Sequence, residues 1–183
     1  MNRASSRENR VVEDTATYLL VLGERDAIRW VLTTGQMAFP STPRREVAAL
    51  REGDELFLLT TRGAFHNPTR DRTRIIGTAV VTTSVARFDD ALELAGRTFE
   101  SGCSIEVTSL TPYLEGVELA PLADKLDTLR GKAHWGMLLR RPLVPIALAD
   151  ATLLRRELGR WDDHLDAAMA TYRDRIPPVG VFG

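Results

Sequence analysis

The chain has 183 residues, of which 44% are hydrophobic and 27% are charged, and its formal net charge is −1. These values are typical of one globular domain with its own core, and they exclude a global attraction to nucleic acid or membrane, so any basic site must be local. The first ten residues are polar, and no apolar run reaches the roughly 18–20 residues of a membrane span. With Cys103 as its only cysteine, we expect a cytoplasmic protein without disulfides.

The first half of the chain is rich in β-favouring runs that end at turn residues. They predict strands over residues 15–23, 27–35, 54–62 and 74–87. The second of these runs also fits a short helix. In the last run, Gly77 indicates a bulge or a point of close approach between strands. Residues 42–54 predict a short helix with Pro43 in its first turn and Gly53 at its end.

The second half alternates less and predicts more helix. Residues 104–110 and 141–148 predict strands, and the two prolines of the later one confine it to a sheet edge. Residues 120–131 predict a helix with a leucine stripe, and Asp150 is the expected N-cap of another. A last helix follows Gly159 and aligns an apolar face made of Trp161, Leu165, Ala168, Met169, Tyr172 and Ile176. About six strands without regular βαβ alternation predict an α+β fold with a mainly antiparallel, partly closed sheet.

Charge is distributed unevenly along the chain. Residues 62–74 hold four arginines against one aspartate, a local charge of +3, and residues 130–141 hold four cations and no acid, or +4. The segment 87–127 between them holds nine acids against three cations, or −6. If the fold joins the two basic stretches, the surface is bipolar and its basic side can meet phosphates. The alternative is that these cations lie on solvated loops and pair with nearby acids.

Motifs for catalysis or metal binding are missing from the sequence. It has no phosphate-binding loop, dinucleotide fingerprint, zinc-protease motif or nucleophile elbow. The three histidines and Cys103 lack metal-ligand spacing, so we expect no metal and no cofactor. Cys103 opens a strand and is expected to be a buried small side chain. His66 and Asp71 can form a general acid–base pair, which leaves a small nucleotide-processing hydrolase open as an alternative.

The remaining pattern is one of aromatic, hydroxyl and cationic side chains, the three components that recognise a nucleotide. Aromatic faces stack on bases, hydroxyls read base edges, and arginines hold phosphates. The residues expected to line a base pocket are Trp30, Thr34, Phe39, Thr60, Thr61, Phe65, Trp135 and Met137. Those expected to bind phosphate are Arg62, Arg70, Arg72, Arg74, Lys132, Arg140 and Arg141. The alternative for both tryptophans is an ordinary place in the core.

The order of the segments YLLVL, RWVL, MAFP, LREGDELFLLTTRG, HNPTRDRTRIIGTAVV and WGMLLRRPLVPI resembles an EVE domain over roughly residues 15–158. EVE domains belong to the PUA-like superfamily, together with the YTH and ASCH domains. The resemblance implies a curved five- or six-stranded pseudo-barrel surrounded by short helices. It also implies a pocket for one flipped base, notably a modified cytosine in DNA, whereas PUA-like relatives more often bind RNA. Carried over by position, the pocket lies between the loop 34–41 and the strand end at Thr60 and Thr61, with Trp30 beneath it.

The same resemblance divides the chain into three parts. Residues 1–14 are expected to be a disordered tail, 15–158 the EVE domain, and 159–183 a helical extension used for packing or for a homodimer. The expected partner is modified DNA or RNA, bound weakly because the net charge is slightly negative. Where many EVE domains place an aromatic and a histidine, this chain has Leu59 and Thr60, which puts the base chemistry in question. An interaction module that docks a protein through the acidic 87–127 segment and the C-terminal helix is a further alternative.

Overall fold

The computed structural model describes residues 15–159 and 164–178. Within these ranges eight strands form: β1 (Thr17–Leu22), β2 (Gln36–Phe39), β3 (Glu55–Thr60), β4 (Arg74–Val81), β5 (Ala86–Leu94), β6 (Arg97–Leu110), β7 (Val117–Glu118) and β8 (Leu143–Pro145). The α-helices are α1 (Arg25–Thr34), α2 (Arg45–Ala49), α3 (Leu148–Leu158) and α4 (Leu165–Arg175), and 3-10 helices cover Ala120–Lys125 and Trp135–Arg140.

All the described strands join one curled sheet. Its main path runs β2-β6-β4-β3-β1-β8, with β5 added beside β6 and β7 beside β4. β1 and β3 run parallel and the other pairs run antiparallel. The sheet curls into a half-barrel, which confirms the predicted α+β class and mainly antiparallel sheet. The path has six strands, and the proline-containing β8 lies at its edge as predicted.

The central strands β1 and β3 are buried on both faces, and successive side chains point into different cores. Tyr18, Leu20 and Leu22 pack into one core with Leu56 and Leu58 of β3. Their neighbours pack into a second core on the opposite face, namely Leu19, Phe57 and Leu59. Side chains alternate across a strand, so a strand covered on both sides reads as a continuous apolar run. This explains why TYLLVL and ELFLLT look uniformly hydrophobic.

Helices cover the two faces separately. α1 and α4 pack on the first core, through residues such as Ile28 and Tyr172. α3 and the stretch 119–129 pack on the second core, where Leu122, Leu126 and Leu129 form the predicted leucine stripe. Helical segments therefore cover both faces of the sheet.

Gly77 is the point of close approach that the sequence predicted. A Cβ built on it would lie 2.1 Å from the Ser109 carbonyl oxygen of β6. The β3–β4 register also shifts beside it, because Leu58 pairs with Gly77 while Leu59 pairs with Ile75. The extra residue is a bulge, which increases the local bend of the sheet.

The predicted strand over 27–35 is wrong, and the alternative helix is the one that forms. In α1 the buried residues Ile28, Val31 and Leu32 follow the three-to-four spacing of a helix face. Gly35 ends the helix with φ of 61°, and its N–H donates to the Val31 carbonyl at 3.0 Å. The aromatic and β-branched residues of this segment favour a strand locally, so packing against the core decided the outcome.

Three strand boundaries also differ from the prediction. The loop expected over 34–41 contains β2, which pairs with Gly102 and its neighbours in β6. The long strand expected over 74–87 ends at Val81, and β5 begins after a turn. Residues 86–110 form the β5–β6 hairpin, so the strand expected over 104–110 is the second half of β6. These strands form because they pair with segments distant in the sequence, and local composition does not predict such pairing.

Asp150 does not cap its own helix as predicted. α3 begins at Leu148, and the carboxylate of Asp150 is 2% exposed. It accepts hydrogen bonds from the backbone N–H groups of Asp127 and Thr128 at 2.7 and 2.8 Å, and from the Thr128 hydroxyl. The side chain thus fixes the loop that leads to residues 130–141.

The C-terminal helix α4 packs on the body of its own chain. Ala168, Tyr172 and Ile176 of the predicted apolar face are buried, while Trp161 of that face lies outside the described residues. The Arg29 guanidinium donates to the carbonyl oxygens of Arg173, at 2.9 Å, and Ile176. These contacts agree with the packing alternative for this helix.

Candidate functional site

A cleft of about 410 Å³ opens where the parallel strands β1 and β3 end. Leu22 and Gly23 at the end of β1 form its floor, and Thr61 follows β3 on one side. α1 forms a wall through Trp30, and the chain from Met37 to Pro40 forms another. Its volume falls in the roughly 300–1,000 Å³ range of small-molecule sites.

Apolar side chains contribute much of the cleft wall. Trp30 is half-buried: it packs against the first core and turns part of its indole toward the cleft. Opposite walls come from the end of the β5–β6 hairpin, through Leu94 and Phe99, and from Leu139. Flat apolar surfaces of this kind fit a planar ring.

Four arginines line the cleft: Arg44, Arg97, Arg140 and Arg141. Arg141 is paired with Glu46 at 2.9 Å, whereas no ion pair within the described ranges involves the other three. The Nε atom of Arg44 is buried and makes no hydrogen bond to the described part of the protein. A buried donor without a partner costs free energy, so this arginine is suited to a bound acceptor.

One acid, Glu24, belongs to the described lining of the cleft. Its carboxylate lies 3.0 Å from Nε2 of His66, and both side chains are about half exposed. His66 adopts φ of 62°, in the left-handed region. The loop that follows β3 therefore touches the rim of the cleft through this contact and through Thr61.

The arginines of residues 62–74 lie outside the lining of the cleft. Arg62 donates to the Pro68 carbonyl at 2.6 Å, and Arg72 donates to carbonyls of its own loop. Arg74 pairs with Glu118 at 3.2 Å, and Arg70 is exposed on the loop. Lys132 donates to the Thr128 carbonyl. The two predicted basic stretches thus do not meet here, and only Arg140 and Arg141 of the predicted phosphate ligands reach the cleft.

Of the predicted base-pocket residues, Trp30 and Thr61 line the cleft. The others lie elsewhere: Phe39 and Thr60 are 1% exposed, and the Thr34 hydroxyl donates to the Trp30 carbonyl. Phe65 packs edge-on against Tyr113 with ring centroids 4.9 Å apart.

The two remaining predicted residues lie on or beside the second core. Trp135 packs against that core and does not line the cleft. Met137 is 59% exposed. The alternative of an ordinary core position therefore holds for Trp135, whereas Trp30 both packs against a core and lines the cleft.

Residues 94–99 and Arg44 were missed by the sequence analysis. Leu94 pairs with Arg97 across a two-residue turn, in which Ala95 and Gly96 have φ of 51° and 70°. Positive φ at both positions is the mark of a tight hairpin turn. Gly96, between two runs of alternating polarity, was the available sign of a hairpin turn. The acidic residues of the segment instead favoured a solvent-exposed surface.

The proposed acid–base pair of His66 and Asp71 is not formed. His66 contacts Glu24, as described above, while the buried carboxylate of Asp71 accepts the backbone N–H of Asn67 at 3.2 Å. Asp71 therefore closes its own loop. The described residues contain no group of three or more histidine, cysteine, aspartate or glutamate side chains placed to hold a metal.

Cys103 is buried as predicted, on β6 and opposite Met37 of the neighbouring strand β2. Burial raises the pKa of its thiol to about 11, so the thiol stays protonated, and therefore weakly nucleophilic, at neutral pH. None of the helices in the described part of the chain combines the length and apolarity that crossing a bilayer requires.

No protein-family model and no curated protein matches the chain at a significant level. Solved structures do match. The YTH domain of the Zygosaccharomyces rouxii MRB1 protein, in complex with N6-methyladenosine RNA, aligns with a TM-score of 0.55 over 84% of this chain and 93% of its own, at 11% identity. A hypothetical protein from Leishmania major aligns with a TM-score of 0.53 over 81% and 98%, at 14% identity.

Human THYN1, in complex with DNA containing 5-methylcytosine, aligns with a TM-score of 0.50 over 78% of this chain and 98% of its own, at 12% identity. These alignments span most of both chains, at identities where likeness concerns the fold. The chain therefore has the PUA-like fold of the EVE and YTH domains.

Proposed function

We propose that this protein binds nucleic acid and holds one modified base, turned out of its strand, in the cleft at the ends of β1 and β3. Two of its structural neighbours are described with ligands of this class, N6-methyladenosine RNA for the MRB1 YTH domain and 5-methylcytosine DNA for THYN1. What supports the proposal in this chain is the chemistry of the cleft itself.

The observation that carries the proposal is a cleft with apolar wall residues, bordered by arginines of which Arg44, Arg97 and Arg140 have no ion-pair partner among the described residues. A base stacked on the indole of Trp30 gains roughly 1–3 kcal/mol. That gain offsets the few kcal/mol that extrusion from a duplex costs, and a single strand avoids most of this cost. Arg97 and Arg140 are exposed at the cleft and are suited to bind the phosphates that flank the base.

The affinity for nucleic acid is expected to be modest, and its electrostatic part should come from the arginines at the cleft alone. The formal net charge of −1 provides no long-range attraction, so affinity depends on the few arginines at the cleft. If two or three phosphates are neutralised, the logarithm of affinity falls with the logarithm of salt with a slope of about −1.4 to −2 on a single strand. A further recruiting domain or partner would raise the effective concentration of the site.

The test is a titration of labelled single-stranded RNA and DNA that carry N6-methyladenosine, 5-methylcytosine or the unmodified base, at about 50 and 200 mM salt. One modified oligonucleotide should bind more tightly than its unmodified counterpart, and its affinity should fall with salt. Trp30→Ala should lower that affinity about tenfold or more, because stacking is lost.

Trp135→Ala is the matched control. Trp135 is also a half-buried tryptophan, but it packs on the second core and is not among the residues that line the cleft. Its replacement should leave affinity for the modified oligonucleotide unchanged once both variants are shown to fold. Negligible, salt-insensitive and equal binding of all oligonucleotides would reject the proposal, and an equal loss in both variants would reject the cleft as the site.

A further inference from the structure

A second cavity adjoins the cleft on the far side of Arg44. It has a volume of about 500 Å³ and lies between the loop 40–44, α2 and the turn that joins β4 to β5. Pro40 and Arg44 line both cavities. The two cavities are therefore neighbours separated by one proline and one arginine.

Arg44 is the unbalanced charge at this boundary. The second cavity contains one other arginine, Arg87, which is paired with Glu100 at 3.1 Å. Arg44 has no ion-pair partner among the described residues, and its Nε atom is buried without a hydrogen bond. A cation in this position is suited to an anion that reaches into both cavities.

The rest of the second cavity can accommodate a nucleoside. Apolar surface comes from Pro40, Val47 and Val85, and hydroxyl groups are contributed by Ser41, Thr42, Ser84 and Ser101. Apolar faces pack on a base, and hydroxyls hydrogen-bond to sugar and base edges. Glu100, the one acid among the described residues that line this cavity, is already paired, so it adds little repulsion toward a phosphate.

Building on the proposed function, we propose that the second cavity binds the nucleotide adjacent to the base in the cleft, with Arg44 on the phosphodiester that links the two. The ligand is then a single strand of at least two nucleotides, and a free nucleoside occupies only half of the site. The path of the strand runs from the end of β1, past Arg44, to the β4–β5 turn.

The experiment compares three probes that carry the modified base selected in the titration above. They are the nucleoside, the dinucleoside monophosphate, and the same dinucleoside with a neutral methylphosphonate linkage, each with the neighbour on the 5′ or the 3′ side. In the wild-type protein one dinucleoside monophosphate should bind about tenfold more tightly than its own neutral analogue, as expected for one charge-assisted hydrogen bond. The neutral analogue should in turn bind more tightly than the nucleoside, because its second nucleoside still contacts the second cavity.

Arg44→Met should abolish the preference for the charged linkage over the neutral one. Arg45→Met is the control, because Arg45 is the exposed neighbour on α2 and lines neither cavity. Ser84→Trp, at an exposed position on the β4–β5 turn, should obstruct the second cavity and remove the dinucleotide gain without touching the first. It keeps the test decisive if Arg44→Met folds poorly.

The inference is overturned if the nucleoside and both dinucleosides bind equally, or if the gain persists in Arg44→Met and Ser84→Trp. Either result leaves the base cleft and the proposed function intact. Failure of every probe and of the longer oligonucleotides overturns the proposed function as well, so the two failures are distinguishable.

Discussion

Replacing Gly77 by alanine tests the tightest backbone contact of the curled sheet. The new methyl group would lie 2.1 Å from the Ser109 carbonyl oxygen and 3.0 Å from Cα of Leu110. The first distance is more than an ångström inside ordinary van der Waals contact, and the obstacle is backbone, which cannot rotate away. β4 and β6 must therefore separate at this point.

The cost follows from the contacts that separation breaks. The Thr78 N–H donates to the Ser109 hydroxyl at 3.2 Å, and the Thr111 N–H donates to the Ile76 carbonyl at 2.7 Å. Two hydrogen bonds at about 0.5–1.5 kcal/mol each, together with overpacking at about 1–3 kcal/mol, give a loss of about 2–6 kcal/mol in the free energy of unfolding. A domain is stable by about 5–15 kcal/mol, so the effect is large.

Urea unfolding followed by circular dichroism measures this loss, with Gly136→Ala as the control. A Cβ on Gly136 meets no atom within 4 Å, so this variant should stay within about 0.5 kcal/mol of the wild type. Equal stability of the two variants would show that the sheet relaxes freely at Gly77, and the reasoning from close approach would be wrong.

Two further predictions concern buried groups. Asp150→Ala should lower the free energy of unfolding by about 2–4 kcal/mol, because three donors in Asp127 and Thr128 lose their acceptor. Asp150→Asn keeps one acceptor oxygen and should therefore lose less stability in the same urea titration. Equal losses in the two variants would contradict the role assigned to the carboxylate. Burial raises the pKa of Cys103 from 9.0 to about 11, so the unfolded thiol ionises first and stability should fall by up to about 2 kcal/mol as pH rises from 9 to 11. The difference between wild type and Cys103→Ala, followed over that range, should change accordingly, and a constant difference would refute the burial effect.

Structural features were predictable from the sequence where the residue pattern fits only one kind of local structure. The continuous apolar runs of β1 and β3, the edge position of β8 and the close approach at Gly77 follow from residue type and local spacing. The segment that forms α1 was harder, because its apolar residues fit both the strand and the helix period over ten residues.

The candidate site was predictable only in part. Placing the pocket between the loop 34–41 and the strand end at Thr60 and Thr61, with Trp30 beneath it, came from the resemblance to EVE domains. Trp30, Thr61 and part of the segment 37–40 line the cleft, whereas Thr34, Phe39 and Thr60 do not. The local charge map pointed to residues 62–74, yet Arg62 and Arg72 bind carbonyls of their own loop. An arginine count records charge, whereas the folded loop determines whether that charge is already satisfied.

By itself, the sequence determined which segments are apolar enough to build a two-faced sheet, where that sheet must bend, and that no general attraction to polyanions exists. Only the tertiary structure decided which cations share one cleft. Arg44, Arg97 and Arg140 come from a loop, a hairpin turn and a 3-10 helix, and their meeting depends on long-range strand pairing. Such pairing is stabilised by contacts between residues that are distant in the sequence, so local composition does not predict it.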